Sequence, residues 1–95
     1  MIRQGDVLLV KTNKKPEGVA TAPRNGRIIL AEGEATGHHH SVDAQVCELF
    51  GDLLVVREAT PLTHQEHGLI EIQPGTWWVV RQREYTPQEI RRVQD

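Results

Sequence analysis

Gln45-Val46-Cys47-Glu48-Leu49-Phe50-Gly51-Asp52-Leu53-Leu54-Val55-Val56-Arg57-Glu58 reads as two short strands flanking the pair Gly51-Asp52. Glycine in the first place of a two-residue loop suits a type II′ turn, whose twist matches that of the strands beside it, so the stretch predicts a hairpin. The register that follows sets Leu49 opposite Leu54 and Cys47 opposite Val56. It places the thiol on an apolar face with Leu49, Leu54 and Val56, where a cysteine packs rather than reacts.

Working outward, Leu69 to Ile72 and Trp77 to Val80 flank Gln73-Pro74-Gly75-Thr76, in which proline second and glycine third fit a type II turn. The spacing predicts a second hairpin with Ile72 opposite Trp77 and Ile70 opposite Val79. Continued, that register sets Glu66 opposite Arg83 and His64 opposite Tyr85. Trp77 and Trp78 are adjacent on one strand and must project to opposite sides, so a one-sided sheet takes at most one into its core. Exposure of the other points to a subunit or ligand contact; the alternative is core on both sides of a barrel wall.

Upstream, Asp6-Val7-Leu8-Leu9-Val10 follows Gly5 and is apolar on both faces, as expected of a strand lying centrally in a sheet. Thr12 to Asn25 loses periodicity and carries Pro16, Gly18, Pro23 and Asn25-Gly26, a long connection. Arg27 to Ala31 resumes strand character, and Gly33 and Gly37 in the following six residues signal a bend that can aim the side chains after it. The C-terminus offers Thr86-Pro87-Gln88-Glu89, a capping box with proline at the first helical position, leading a short helix with Ile90 and Val93 on one side. Many short strands with glycine and proline turns, closed by one small helix, predict a mainly β domain over residues 1–95, a small barrel or compressed sandwich.

A chain of 95 residues fits one domain with one modest core, since a domain of this size buries roughly 60–68% of its unfolded surface. Hydrophobic residues make up 38% of it, in runs of four to six that are too short for a bilayer crossing, so the expectation is a soluble, cytoplasmic protein with no membrane partner. The single cysteine excludes an intramolecular disulfide and a four-thiolate zinc site. A net charge of −2 provides no global field for nucleic acid or an acidic membrane.

The five histidines fall in two short segments, Thr36-Gly37-His38-His39-His40 and His64-Gln65-Glu66-His67. Alternation on a strand projects His38 and His40 to one face and His39 to the other, and a His-x-His pair is a two-point clamp for a divalent metal. His64 and His67 are the expected remaining ligands; three positions apart, they share a face on a turn but not on a regular strand. Glu66, Asp43 and Glu84 are the carboxylates placed to complete the shell, with Glu66 as base or extra ligand and Arg83 and Tyr85 as a polar wall. A carboxylate beside a metal-bound water would make the site hydrolytic. The alternatives are a metal-free ribonuclease, in which two histidines act as general acid and base on RNA while Arg83 steadies the phosphate, and a binding module without catalysis.

His38-x-His40 and the later Ile72-Gln73-Pro74-Gly75-Thr76-Trp77 resemble fragments of the cupin family over about a third of the chain. That resemblance implies a jelly-roll β barrel and an Fe, Mn, Zn or Ni ion on histidines. The cupin histidine that follows the proline-glycine turn is absent, because His64 and His67 precede Pro74-Gly75. The whole chain also resembles small uncharacterised bacterial proteins carrying Gly33-Glu34-x-Thr36-Gly37-His38-x-His40, His64-x-Glu66-His67-Gly68 and Gln82-Arg83-Glu84-Tyr85. A homodimer is expected of so small a chain.

Overall fold

The computed structural model describes residues 1–32, 38–65 and 67–81. These residues form nine strands: β1 Ile2–Gln4, β2 Val7–Lys11, β3 Arg27–Glu32, β4 His39–Asp43, β5 Cys47–Phe50, β6 Leu53–Val56, β7 Thr60–Leu62, β8 Ile70–Ile72 and β9 Gly75–Arg81. The chain is mainly β, with no helix among the described residues. No helix there is long and apolar enough to cross a membrane. The expected C-terminal helix and the bend at Gly33 and Gly37 lie outside the described residues.

The Gly51-Asp52 hairpin forms with Leu49 opposite Leu54 and Cys47 opposite Val56. Gly51 has φ +62° while Asp52 keeps a negative φ, the combination a type II′ turn requires. Gly5-Asp6 repeats this device between β1 and β2, with Gly5 at φ +56° and Gln4 opposite Val7. Asn25-Gly26 ends the long connection in a two-residue turn of its own. Both of its residues have positive φ, and Arg24 and Arg27 exchange two backbone hydrogen bonds across it.

The second predicted hairpin does not form. β8 turns back on β7, with Ile72 opposite Thr60 and Ile70 opposite Leu62, whereas β9 inserts between β2 and β6. Trp77 lies between Lys11 and Leu54, and Val79 lies opposite Leu9. The physical reason is non-local pairing: β9 satisfies both of its edges against long apolar strands, which buries more than a three-residue partner could. Pro74-Gly75 therefore links two sheets rather than two strands of one.

The result is a five-stranded antiparallel sheet in the order β1-β2-β9-β6-β5 and two ribbons, β3-β4 and β7-β8. Among the described residues the large sheet does not close into a barrel: β3 lies beside β5 and β8 beside β1 without a ladder between them. β2 has partners on both sides, as its apolar sequence predicts. One core joins the three sheets, with Leu9, Leu30, Leu54, Leu62 and Ile72 almost wholly buried, each contributing about 1.5–3 kcal/mol through removal from water. Trp77 enters this core at 7% exposure, while Trp78 on the other face stays 50% exposed.

Two local features fix the ribbon that carries the first histidines. β3 slips by one residue between Ile29 and Ala31, leaving Leu30 as a bulge whose carbonyl accepts Arg81 Nε–H at 2.6 Å. The same guanidinium pairs through Nη1 with Asp52 at 2.7 Å. The ribbons then meet at a single antiparallel bridge, where Ser41 and Thr63 exchange backbone hydrogen bonds of 3.0 Å in each direction. Arg27 locks it by donating to Ser41 O at 3.0 Å and Thr63 Oγ1 at 2.9 Å.

Candidate functional site: an imidazole cluster at the bridge

The Ser41–Thr63 bridge sets where the two histidine segments meet. In an antiparallel register the next residues outward are His40 and His64, followed by His39 and Gln65. The rings follow that geometry. His40 and His64 have centroids 4.3 Å apart, and His64 stands 5.8 Å from His38 and 4.6 Å from His67. His40 and His67 are 5.9 Å apart with planes 14° from parallel. Four of the five imidazoles thus gather around His64. His64 and His67 can both reach the cluster because Thr63 ends the bridge and the chain bends at Gln65 and His67 rather than continuing as a strand.

His39 is directed elsewhere. Its backbone N–H donates to Gln65 Oε1 at 2.8 Å, so the same amide presents its N–H to His39 Nδ1 at 3.3 Å. Asp43, considered as a ligand, sits at the far end of β4, about 10 Å along the strand from His40 at the usual rise per residue. Its Oδ1 accepts the Gln45 backbone N–H at 2.8 Å and serves the turn after β4. Glu66, Glu84, Arg83 and Tyr85 lie outside the described residues.

Beneath the cluster is a group that sequence reasoning missed, the β1–β2 turn. Gln4 is 2% exposed and makes three hydrogen bonds. Its Nε2 donates to Leu62 O at 2.9 Å and to Gly68 O at 2.8 Å, which uses both amide protons. Its Oε1 is therefore an acceptor, and His40 Nδ1, 2.8 Å away, must carry the proton between them. In its neutral form His40 is thereby held as the Nδ1–H tautomer, with the lone pair on Nε2. Gly5 follows Gln4 and leaves room for His67: a Cβ at Gly5 would lie 2.5 Å from His67 Nε2. The signal for both was present in Gly5-Asp6, which has the same glycine-first form as Gly51-Asp52.

Cys47 takes no part. It is buried, and desolvation pushes its thiol up to about 11, with Asp43 adding to the rise and the cations Arg57 and Arg27 opposing it. Such a thiol is protonated at neutral pH and unreactive. Among the described residues, no three His, Cys, Asp or Glu side chains stand as a ready-made metal-holding group. The rings are gathered, but their donor atoms are not already trained on one point.

Fold and site together define a small mainly β domain with an imidazole cluster where two ribbons meet. The chain belongs to the family described as Domain of unknown function (DUF8820), which matches residues 3–82. No curated protein and no solved structure matches it.

Proposed function

We propose that the cluster binds one divalent transition-metal ion through His40, His64 and His67, with His38 as a fourth donor. The observation that carries this reading is the locked tautomer of His40. A buried amide that spends both its protons on backbone carbonyls, and so fixes Nδ1–H on the histidine, is the support that metal-binding imidazoles commonly have. It leaves the Nε2 lone pair as the coordinating one.

The ring spacing agrees. An imidazole nitrogen about 2.1 Å from zinc puts its ring centroid about 3.2 Å from the ion, so ligands at 90–110° have centroids about 4.5–5.2 Å apart. The observed separations of 4.3, 4.6 and 5.9 Å around the triangle His40, His64, His67 bracket that range. His40 is buried and fixed, whereas His64 is half-buried and His67 exposed. Ion binding therefore turns the outer rings toward the fixed one. Bound on His40, His64 and His67 alone, the ion would keep a position for water and lower that water's pKa to about 7, the chemistry of a metal-dependent hydrolase, whereas His38 as a fourth donor would close a tetrahedral shell.

The test is cobalt titration of protein purified without a nickel column and stripped with chelator. Visible absorption should saturate at one ion per chain, and His40→Ala and His64→Ala should each weaken binding by at least about tenfold while His39→Ala leaves it unchanged. Absence of stoichiometric binding, or equal loss in His39→Ala, would overturn the reading. RNA cleavage that persists in EDTA and disappears in His40→Ala would replace it with acid–base catalysis by the same rings.

A further inference from the structure

We propose that the ion fastens a seam of the fold, holding the β1–β2 turn of the large sheet against the two ribbons; the inference rests on the metal-binding reading above. In spatial order the strands run β1-β2-β9-β6-β5, then β3-β4, then β7-β8, which brings β8 back beside β1. β4 meets β7 at the Ser41–Thr63 bridge, whereas among the described residues no ladder joins β8 to β1. Packing of Leu62 and Ile72 in the shared core holds the ribbon there. The Gln4 side chain reaches across from β1, donating to Leu62 O at 2.9 Å and to Gly68 O at 2.8 Å. A junction without a ladder belongs to the part of a fold that opens most readily.

Two of the three proposed ligands rest on this turn. His40 Nδ1 lies 2.8 Å from Oε1 of Gln4, the residue before Gly5. His67 lies over Gly5 itself: a Cβ there would stand 2.5 Å from Nε2, 2.9 Å from Cδ2 and 3.2 Å from Cε1. A point 2.5 Å straight out from Nε2 would be about 3.5 Å from both carbons, so the turn supports the face of the ring and leaves its Nε2 lone pair clear. A glycine, with no Cβ, allows so close a seat. His64 completes the group from between them, its centroid 4.3 Å from that of His40 and 4.6 Å from that of His67. The sheet thus orients two ligands that the other side of the seam carries.

Coupling of this kind runs both ways. Closure of the seam places His40 and His67 for the ion, so the ion favours closure by the same factor, because linkage between two equilibria is reciprocal. An opening that parts the turn from the ribbons breaks the site, and bound ion suppresses it; an opening that leaves the rings together is not affected. Metal supply therefore sets how firmly the edge strand β1 is held to the rest of the molecule.

Hydrogen exchange of the full chain, with zinc as the probe, tests this. Without zinc, the protected amides of β1 and β8 should exchange faster than those of β6 and β9. With zinc at about a hundred times its dissociation constant, they should slow by about a hundredfold. Gly5→Ala should weaken zinc binding by about fivefold or more in the parent and leave it unchanged in a His67→Ala background, because the turn acts through that ring. Exchange in β1 and β8 as slow as in β9 without zinc, or bound zinc that fails to slow it, would overturn the proposal while leaving the metal site standing. An equal loss from Gly5→Ala in both backgrounds would do the same. Absence of zinc binding would end both this proposal and the reading beneath it.

Discussion

Replacing Gln4 with leucine removes an amide that three parts of the structure share, and its cost can be worked from the hydrogen bonds. Gly68 is exposed, so its carbonyl can turn to water. Leu62 and His40 are buried at 0% and 4% exposure, so Leu62 O and His40 Nδ1–H lose their partners in a place water does not reach. Each of these two orphaned buried groups costs about 1–3 kcal/mol, and the apolar leucine returns roughly 1 kcal/mol, leaving a loss of about 1–5 kcal/mol. With a urea m-value of about 1–2 kcal/mol/M for a chain of this size, Gln4→Leu should lower the unfolding midpoint by about 2 M at the centre of that range and by at least about 0.5 M. The assay is urea unfolding followed by circular dichroism, paired with nitrogen-15 spectra that separate the two ring nitrogens of His40. In the parent, Nδ1 should read as protonated; in the variant, the two tautomers should mix. A midpoint shift below about 0.3 M, or a His40 whose tautomer is indifferent to the change, would refute the claim that this amide fixes the ring.

Two further outcomes are expected. Gly5→Ala forces a Cβ into His67 and strains a residue at φ +56°, so it should destabilise the fold by about 1–2 kcal/mol and move the His67 ring resonances; a neutral effect would mean that His67 does not rest on this turn. Because burial raises the Cys47 thiol to about 11, the unfolded chain ionises first as pH climbs. The stabilisation is complete below about pH 9 and falls by roughly 2–3 kcal/mol as pH rises through 11, a loss absent from Cys47→Ala when the two are compared by urea unfolding at pH 8 and 11.

What could be read from the chain alone was local. Gly51-Asp52 specified its hairpin and register because a glycine-first turn fixes which residues face each other, and the adjacent Trp77 and Trp78 had to part to opposite sides. The path of β9 could not be read in the same way. Pro74-Gly75 has the chemistry of a tight turn, yet β9 pairs with strands more than 60 and about 20 positions away, and no neighbouring residue records that choice. For the candidate site, the clustering of histidines was evident from spacing, but their meeting depended on Ser41 and Thr63, two unremarkable residues. Gln4 is still less visible: a glutamine near the start of the chain looks solvated until β1 buries it under Leu62 and Gly68.

The bridge between Ser41 and Thr63 has a bearing on how length changes would be tolerated. Each histidine run is counted from its own bridge residue, so the 21 positions from Val42 to Leu62 can gain or lose residues at their turns without altering how the rings meet. Lengthening the Gln45 or Glu58 turns should leave the imidazoles where they are. Inserting one residue between His40 and Ser41 would instead rotate His40 to the opposite side of its strand and put the inserted residue, not an imidazole, against Gln4.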